Sequence, residues 1–215
     1  MSEKRKVDEL FDLTGHVAVI TGAGRGIGEG IAVAMSEAGA SVVVAARRTE
    51  EIERVANEIN DNGGQALAVT TDVTDDSALE NLAEVAVKHF GSLTDWVNNA
   101  GGSPLRMPVV ELPREEWDKT IALNLTAVYS GSVIAARHIK TGSIINISSG
   151  AGFGPVPGSA HYGAAKAAVH SLTWTFSAEL APKIRVNTVA PGAIPTEIML
   201  KAIGRKEDEL DKVLE

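Results

Sequence analysis

Hydrophobic and polar residues along this chain fall into alternating blocks. Short apolar runs at Val17 to Thr21, Ser41 to Ala45, Ala66 to Thr70, Asp95 to Asn98, Ser143 to Ile147 and Ile184 to Val189 predict six strands. Between them lie longer stretches with helical spacing. Gly26 to Ala38 sets Ile27, Ile31, Ala34 and Met35 on one face and closes at Gly39. Thr49 is placed to cap a helix ending near Asn60, whose Ile52, Val55, Ala56 and Ile59 form an apolar stripe. Further helices are predicted over Asp75 to Phe90, from near Arg114 onward, and over Ser159 to Leu180. Uniformly apolar strands, each followed by a helix, define an α/β chain: a doubly wound parallel sheet with helices on both faces. No linker, low-complexity tract or repeat interrupts it, so a single domain over residues 14–215, with a tail at 1–13, is expected.

The turn after the first strand suits an anion. It reads Thr21-Gly22-Ala23-Gly24-Arg25-Gly26-Ile27-Gly28. Glycines permit positive φ and let backbone N–H groups approach a diphosphate at a helix N-terminus, where the dipole favours negative charge. The spacing departs from G-x-G-x-x-G, because Ile27 stands in the last position, so Gly22, Gly26 and Gly28 are the glycines of interest. A tight strand-to-helix connection without a ligand would also want glycine. The second strand ends Ala45-Ala46-Arg47-Arg48, with no acid before Glu50 to hold a ribose 2′-hydroxyl. Arg47, helped by Arg25 or Arg48, would instead pair with a 2′-phosphate, which favours NADP(H) and leaves NAD(H) second.

Tyr162 and Lys166 are four residues apart and share a face of the last long helix, with the small Gly163, Ala164 and Ala165 between them. An ammonium beside a phenol stabilises the phenolate; lowering a tyrosine by about three units takes roughly 4 kcal/mol. In chain order stand the glycine turn, Asp72-Val73, Asn98-Asn99-Ala100-Gly101, Asn124, Ser149, Tyr162 to Lys166 and Pro191-Gly192. From about Leu13 to Thr196 this pattern resembles the classical short-chain dehydrogenase/reductase family. The resemblance implies a Rossmann-like NAD(P)-binding domain that moves hydride between nicotinamide and a ketone or secondary alcohol. It implies that Tyr162 is the general acid/base and that Lys166 binds the nicotinamide ribose and lowers the tyrosine pKa. Ser149, 13 residues before Tyr162, would bond the substrate oxygen, with Ser148 the adjacent alternative. Asn124 would hold a water of the proton relay. Asp72 and Val73 would contact adenine, and Asn99, Ala100 and Gly101 would line the cofactor cleft. Pro191, Gly192, Ile194 and Thr196 would lie along the carboxamide.

The resemblance also implies a homotetramer or dimer, and hydroxysteroid- or 3-oxoacyl-type substrates both fall within it. It further implies a helix and a strand beyond the Pro191-Gly192 loop that complete the sheet. The 215 residues do not carry that strand, so further residues are expected. A dinucleotide-binding regulatory or scaffold protein without turnover is the alternative reading. The segments that would set specificity, Gly102 to Pro113, Gly150 to Ser159 and the stretch after Thr196, carry no legible code.

Charge narrows the partners. Lys and Arg total 20 against 28 Asp and Glu, a net charge of −8. An acidic surface repels phosphate backbones and anionic lipid, so no nucleic-acid or membrane partner is expected. There is no cysteine, which removes thiolate sites and disulfides and fits a cytoplasmic location. His16, His89, His138, His161 and His170 lack ligand spacing, so no metal is expected. His161, directly before Tyr162, is the one histidine placed to face a substrate. No Gly-x-Ser-x-Gly elbow supports hydrolase chemistry.

Overall fold

A computed structural model describes residues 11–103, 105–192 and 194. Its strands are β1 (Val17–Thr21), β2 (Ser41–Ala46), β3 (Gln65–Thr70), β4 (Asp95–Asn98), β5 (Gly142–Ile147) and β6 (Ile184–Val189). They form one sheet in the order β3-β2-β1-β4-β5-β6, with every pairing parallel. The helices are α1 (Gly26–Glu37), α2 (Thr49–Asp61), α3 (Asp76–Phe90), α4 (Arg114–Ile121), α5 (Ala127–His138) and α6 (Ala160–Leu180). Strand residues alternate between two cores. Ala18, Ile20, Val42 and Val44 pack with Ile52, Val55 and Ile59 of α2 on one face. Val19, Val43, Trp96 and Ile144 pack with Leu79 and Leu82 of α3 and Ile134 of α5 on the other. The central strand β1 is buried throughout, whereas β3, at the sheet edge, is half-buried along its middle.

Three expectations need correction. Thr49 does not cap α2. Arg48 takes that position without a side-chain capping bond, and the Thr49 hydroxyl instead meets that of Thr70 at 2.8 Å. The buried face of α1 centres on Gly28 and Ala32, with Ile31 and Met35 packed beside it, and Ala34 is exposed. Small residues face inward there because the helix starts close against the β1 turn. The long helix from Arg114 is not continuous α-helix: a π-helical turn, Ala122–Thr126, separates α4 from α5. By contrast α3 follows its local chemistry, with Asp75 Oδ1 accepting from Ser77 N at 2.8 Å and Gly91 closing the helix at φ 84°.

A buried polar seam crosses the second core. Trp96 Nε1 donates to Asn98 Oδ1 at 2.7 Å, and Asn98 Nδ2 donates to Asn146 Oδ1 at 2.9 Å and to Ser132 Oγ at 3.0 Å. Asn146 Nδ2 donates to Thr173 Oγ1 at 3.0 Å. The seam joins α5 to β4, β5 and α6, which lead into the candidate site, and each polar group in it depends on the next. No helix among the described residues is long and apolar enough to cross a membrane. Replacing Asn98 with Leu strands the Trp96 N–H and the Asn146 carbonyl, so a loss of about 2–3 kcal/mol in urea unfolding is expected. An unchanged midpoint would show that the seam carries no stability.

Candidate active site

All six strands being parallel, their carboxyl ends share one edge, and the strand order reverses between β1 and β4. A crevice forms at such a switch point because the connections leave in opposite directions. Here it is a cleft of about 920 Å³, and it gathers the glycine turn, the ends of β2, β4 and β5, and the start of α6.

The glycine turn is held from two sides. Gly22 sits at φ +66°, and a Cβ at Gly28 would overlap the Gly22 carbonyl, so only glycine lets α1 start this close. Thr21 Oγ1 accepts from Asn99 N at 3.0 Å and Ala100 N at 3.1 Å, and Asn99 Nδ2 donates to Thr21 O at 2.9 Å and Gly22 O at 3.1 Å. The sequence reading missed the bracing role of Thr21, whose only signal is a hydroxyl next to the first glycine. Arg54 was missed as well; it donates to Gly24 O at 3.2 Å and pairs with Glu29 at 2.9 Å. Gly26, Ile27 and Arg25 line the same cleft.

At the end of β2 both arginines line the cleft, but they differ. Arg48 pairs with Glu51 at 2.7 Å. Arg47 lies close enough to Asp72 to contribute to the lowered pKa of that carboxyl. The larger causes there are bonds from the Thr74 N–H at 3.0 Å and the Thr74 hydroxyl at 2.7 Å. Val73 is buried and serves the core as well as the cleft wall.

At the other end the structure separates Ser148 from Ser149. Ser148 Oγ is buried and donates its single proton to Lys166 O at 2.9 Å, so His170 Nε2, at 2.7 Å, must donate to it. Ser149 opens a short 3₁₀ turn, lines the cleft and hydrogen-bonds Tyr162. Burial pushes the Tyr162 phenol above its usual range, and the bond from Ser149 opposes that. The expected depression by Lys166 is not what the protein groups alone produce. Lys166 Nζ lies 5.6 Å from the Tyr162 ring centroid and donates to Ile147 O at 2.8 Å. The lysine is itself buried, and desolvation lowers its pKa to about 8.

Asn124 occupies the π-helical turn. Its Oδ1 accepts from Gly102 N at 2.8 Å, and its Nδ2 donates to Gly102 O and Thr120 O, both at 3.0 Å. A Cβ at Gly101 would lie 2.8 Å from Asn124 Oδ1 and 3.2 Å from Lys166 Nζ, so a bare glycine is what lets these two groups approach. Pro191, Gly192 and Ile194 line the cleft, and Pro191 O accepts from Gly150 N at 2.9 Å. Thr196 lies outside the described residues.

These features fit a nicotinamide dinucleotide. The glycine turn offers backbone N–H groups at a helix N-terminus, and Lys166 has used one of three ammonium protons, leaving two for ribose hydroxyls. Fold and cleft together define a Rossmann-like oxidoreductase. A family model for the short chain dehydrogenases matches residues 16–207, and the chain belongs to the short-chain dehydrogenase/reductase family. It is 39% identical over 197 residues to an uncharacterized oxidoreductase of Mycobacterium tuberculosis, covering 89% of this chain and 74% of that protein. Among solved structures, a short-chain type dehydrogenase/reductase from Mycobacterium marinum is 38% identical with a TM-score of 0.87, covering 93% of this chain and 80% of that one. A 7α-hydroxysteroid dehydrogenase complexed with NADH and 7-oxo glycochenodeoxycholic acid is 35% identical with a TM-score of 0.86, covering 91% and 77%.

The buried ammonium has a consequence for stability. Lys166 titrates near 8 when folded, against 10.5 for an ordinary lysine. Below pH 8 it is charged in both states, and burying that charge costs the fold on the order of 3 kcal/mol. As pH rises from 8 through 10.5 the folded lysine is already neutral, so the penalty fades. Lys166→Met is therefore expected to be more stable than the parent at pH 7 and to lose most of that advantage by pH 10.5. Paired urea titrations check it, and a less stable variant at pH 7 overturns it.

Proposed function

We propose that the protein is an NADP(H)-preferring dehydrogenase/reductase acting on a ketone or secondary alcohol. The observation that carries this reading is the convergence of Ser149, Tyr162 and Lys166 on one end of a cleft whose other end is a glycine cradle. The bound dinucleotide supplies hydride in one direction and accepts it in the other. Gly22, Arg25, Gly26, Ile27 and Gly28 would hold its diphosphate. Asp72 and Val73 would hold its adenine, Asn99, Ala100 and Gly101 would line its ribose, and Pro191, Gly192, Ile194 and Thr196 its carboxamide. With Arg48 engaged by Glu51, Arg47 is the arginine available for a 2′-phosphate.

In the reducing direction Ser149 and Tyr162 direct their hydroxyls at the substrate oxygen, and Tyr162 gives up its proton as negative charge develops there. A phenol held above its usual pKa stays protonated at neutral pH and is ready to act as the acid. The buried Lys166 ammonium stabilises the phenolate left behind and returns a proton to it through water near Asn124. In the oxidising direction the same groups run in reverse. The likeness to a hydroxysteroid dehydrogenase makes steroid ketones the first substrates to test, with 3-oxoacyl thioesters next. The absence of cysteine supports a cytoplasmic location. Tyr129 on α5 and Trp174 on α6 are at least half-exposed, which supports self-association as a dimer or tetramer.

The test is ketone-dependent oxidation of NADPH and NADH. Tyr162→Phe is expected to lower kcat by about 10²–10⁴-fold with cofactor binding retained. Arg47→Asp is expected to lower the NADPH-to-NADH preference by about tenfold or more. Full activity in the tyrosine variant would sink the mechanism. A preference that ignores Arg47 would sink the cofactor assignment.

A further inference from the structure

Two cleft residues have no part in the chemistry above. Ser103 and Arg106 lie on the segment after Gly102 and line the cleft beside the start of α6. That segment is tied down: Met107 N donates to Gly158 O at 2.9 Å, and a Cβ at Gly158 would lie 3.5 Å from Arg106 Cβ. Arg106 makes no ion pair among the described residues, although the chain carries a net charge of −8.

His161 fixes the orientation of Ser103. The imidazole is fully buried, its Nε2 is 2.9 Å from Ser103 Oγ, and its Nδ1 has no partner. Were Ser103 the donor, neutral His161 would carry its proton on Nδ1, and that N–H would be buried without an acceptor. An unused acceptor in the interior costs less than an orphaned N–H. The proton therefore sits on Nε2 and is donated to Ser103, which leaves the serine O–H unspent. Desolvation works in the same sense by keeping the ring neutral.

The Tyr162 end of the cleft thus presents two unspent donors, one of them a guanidinium whose fork matches a carboxylate. Resting on the reductase reading above, we infer that Ser103 and Arg106 bind a carboxylate on the substrate, so that the substrates are oxo acids and their hydroxy acids and not neutral ketones. Ser103 and Arg106 would touch substrate. His161 is a positioning residue that acts through Ser103.

The experiment uses cofactor-loaded protein and matched ketones: a 7-oxo bile acid and a linear oxo acid, each as the free acid, the methyl ester and the phosphonate analogue. Turnover and calorimetric binding are both read. The free acids are expected to exceed their esters in kcat/KM and in affinity by about tenfold or more. Arg106→Gln should remove most of that preference, Arg106→Lys should keep part of it, and Ser103→Ala should lower it a few-fold. Equal treatment of acid and ester by the parent protein, or a ratio unmoved by Arg106→Gln, overturns the assignment. So does a phosphonate preferred over the carboxylate. Preferential binding of the acids without any turnover would uphold the subsite and sink the reductase reading. No binding of any acid would overturn the subsite.

Discussion

The end of β5 and the second turn of α6 are bonded to each other twice at one residue. Ile147 O accepts from the Lys166 ammonium, and the Ser148 hydroxyl donates to the Lys166 carbonyl. A side chain and a backbone carbonyl of the same residue are therefore fixed to the last residue of the strand and to the residue that follows it. That clamp sets the distance between strand end and helix, and with it the place of Ser149 relative to Tyr162. His170 supports it from below by donating to Ser148. The polar seam through Asn98, Asn146 and Thr173 lies under the same two elements, so the clamp rests on a second line of directional bonds.

The clamp works against stability at neutral pH, because it holds a charged ammonium out of water. A group kept where it is costly signals that something other than folding fixes its identity. The Tyr162 phenol and the His161 imidazole are also desolvated beside the cleft, but both stay neutral at pH 7, so their burial carries no comparable charge cost there. Three perturbed groups within six residues of one helix contrast with the alanine and valine positions around them, which pack in the ordinary way.

The strands were legible because a parallel sheet buries both faces and so writes continuous apolar runs into the sequence, as in Val17 to Thr21 and Ile184 to Val189. The proposed catalytic cluster was legible only as residue types at fixed spacing, and the structure brings Ser149, Tyr162 and Lys166 to one cleft. What could not be read depended on long-range partners. A π-helical turn at Ala122–Thr126 has the same residue pattern as an α-helix, and the bonds of Asn124 within it reach Gly102, twenty-two residues away. Thr49 had the chemistry of a cap, but Thr70, twenty-one residues away, took its hydroxyl. The choice between Ser148 and Ser149 turned on His170 and Lys166, and Arg106 carries no signal until the segment after Gly102 is seen beside α6.

Asn124 holds both the N–H and the carbonyl of Gly102, and Gly101 beside it has no side chain to separate Asn124 from Lys166. The segment that carries Ser103 and Arg106 therefore has a root anchored by Asn124, beside a Gly101 that adjoins Lys166. Its residues after Gly102 touch neither Asn124 nor Lys166 through any of these bonds. On the roles proposed above, such a division would let one scaffold take up new substrates by altering the tip of a loop whose base stays fixed, so that diversification of chemistry and diversification of choice fall on different residues.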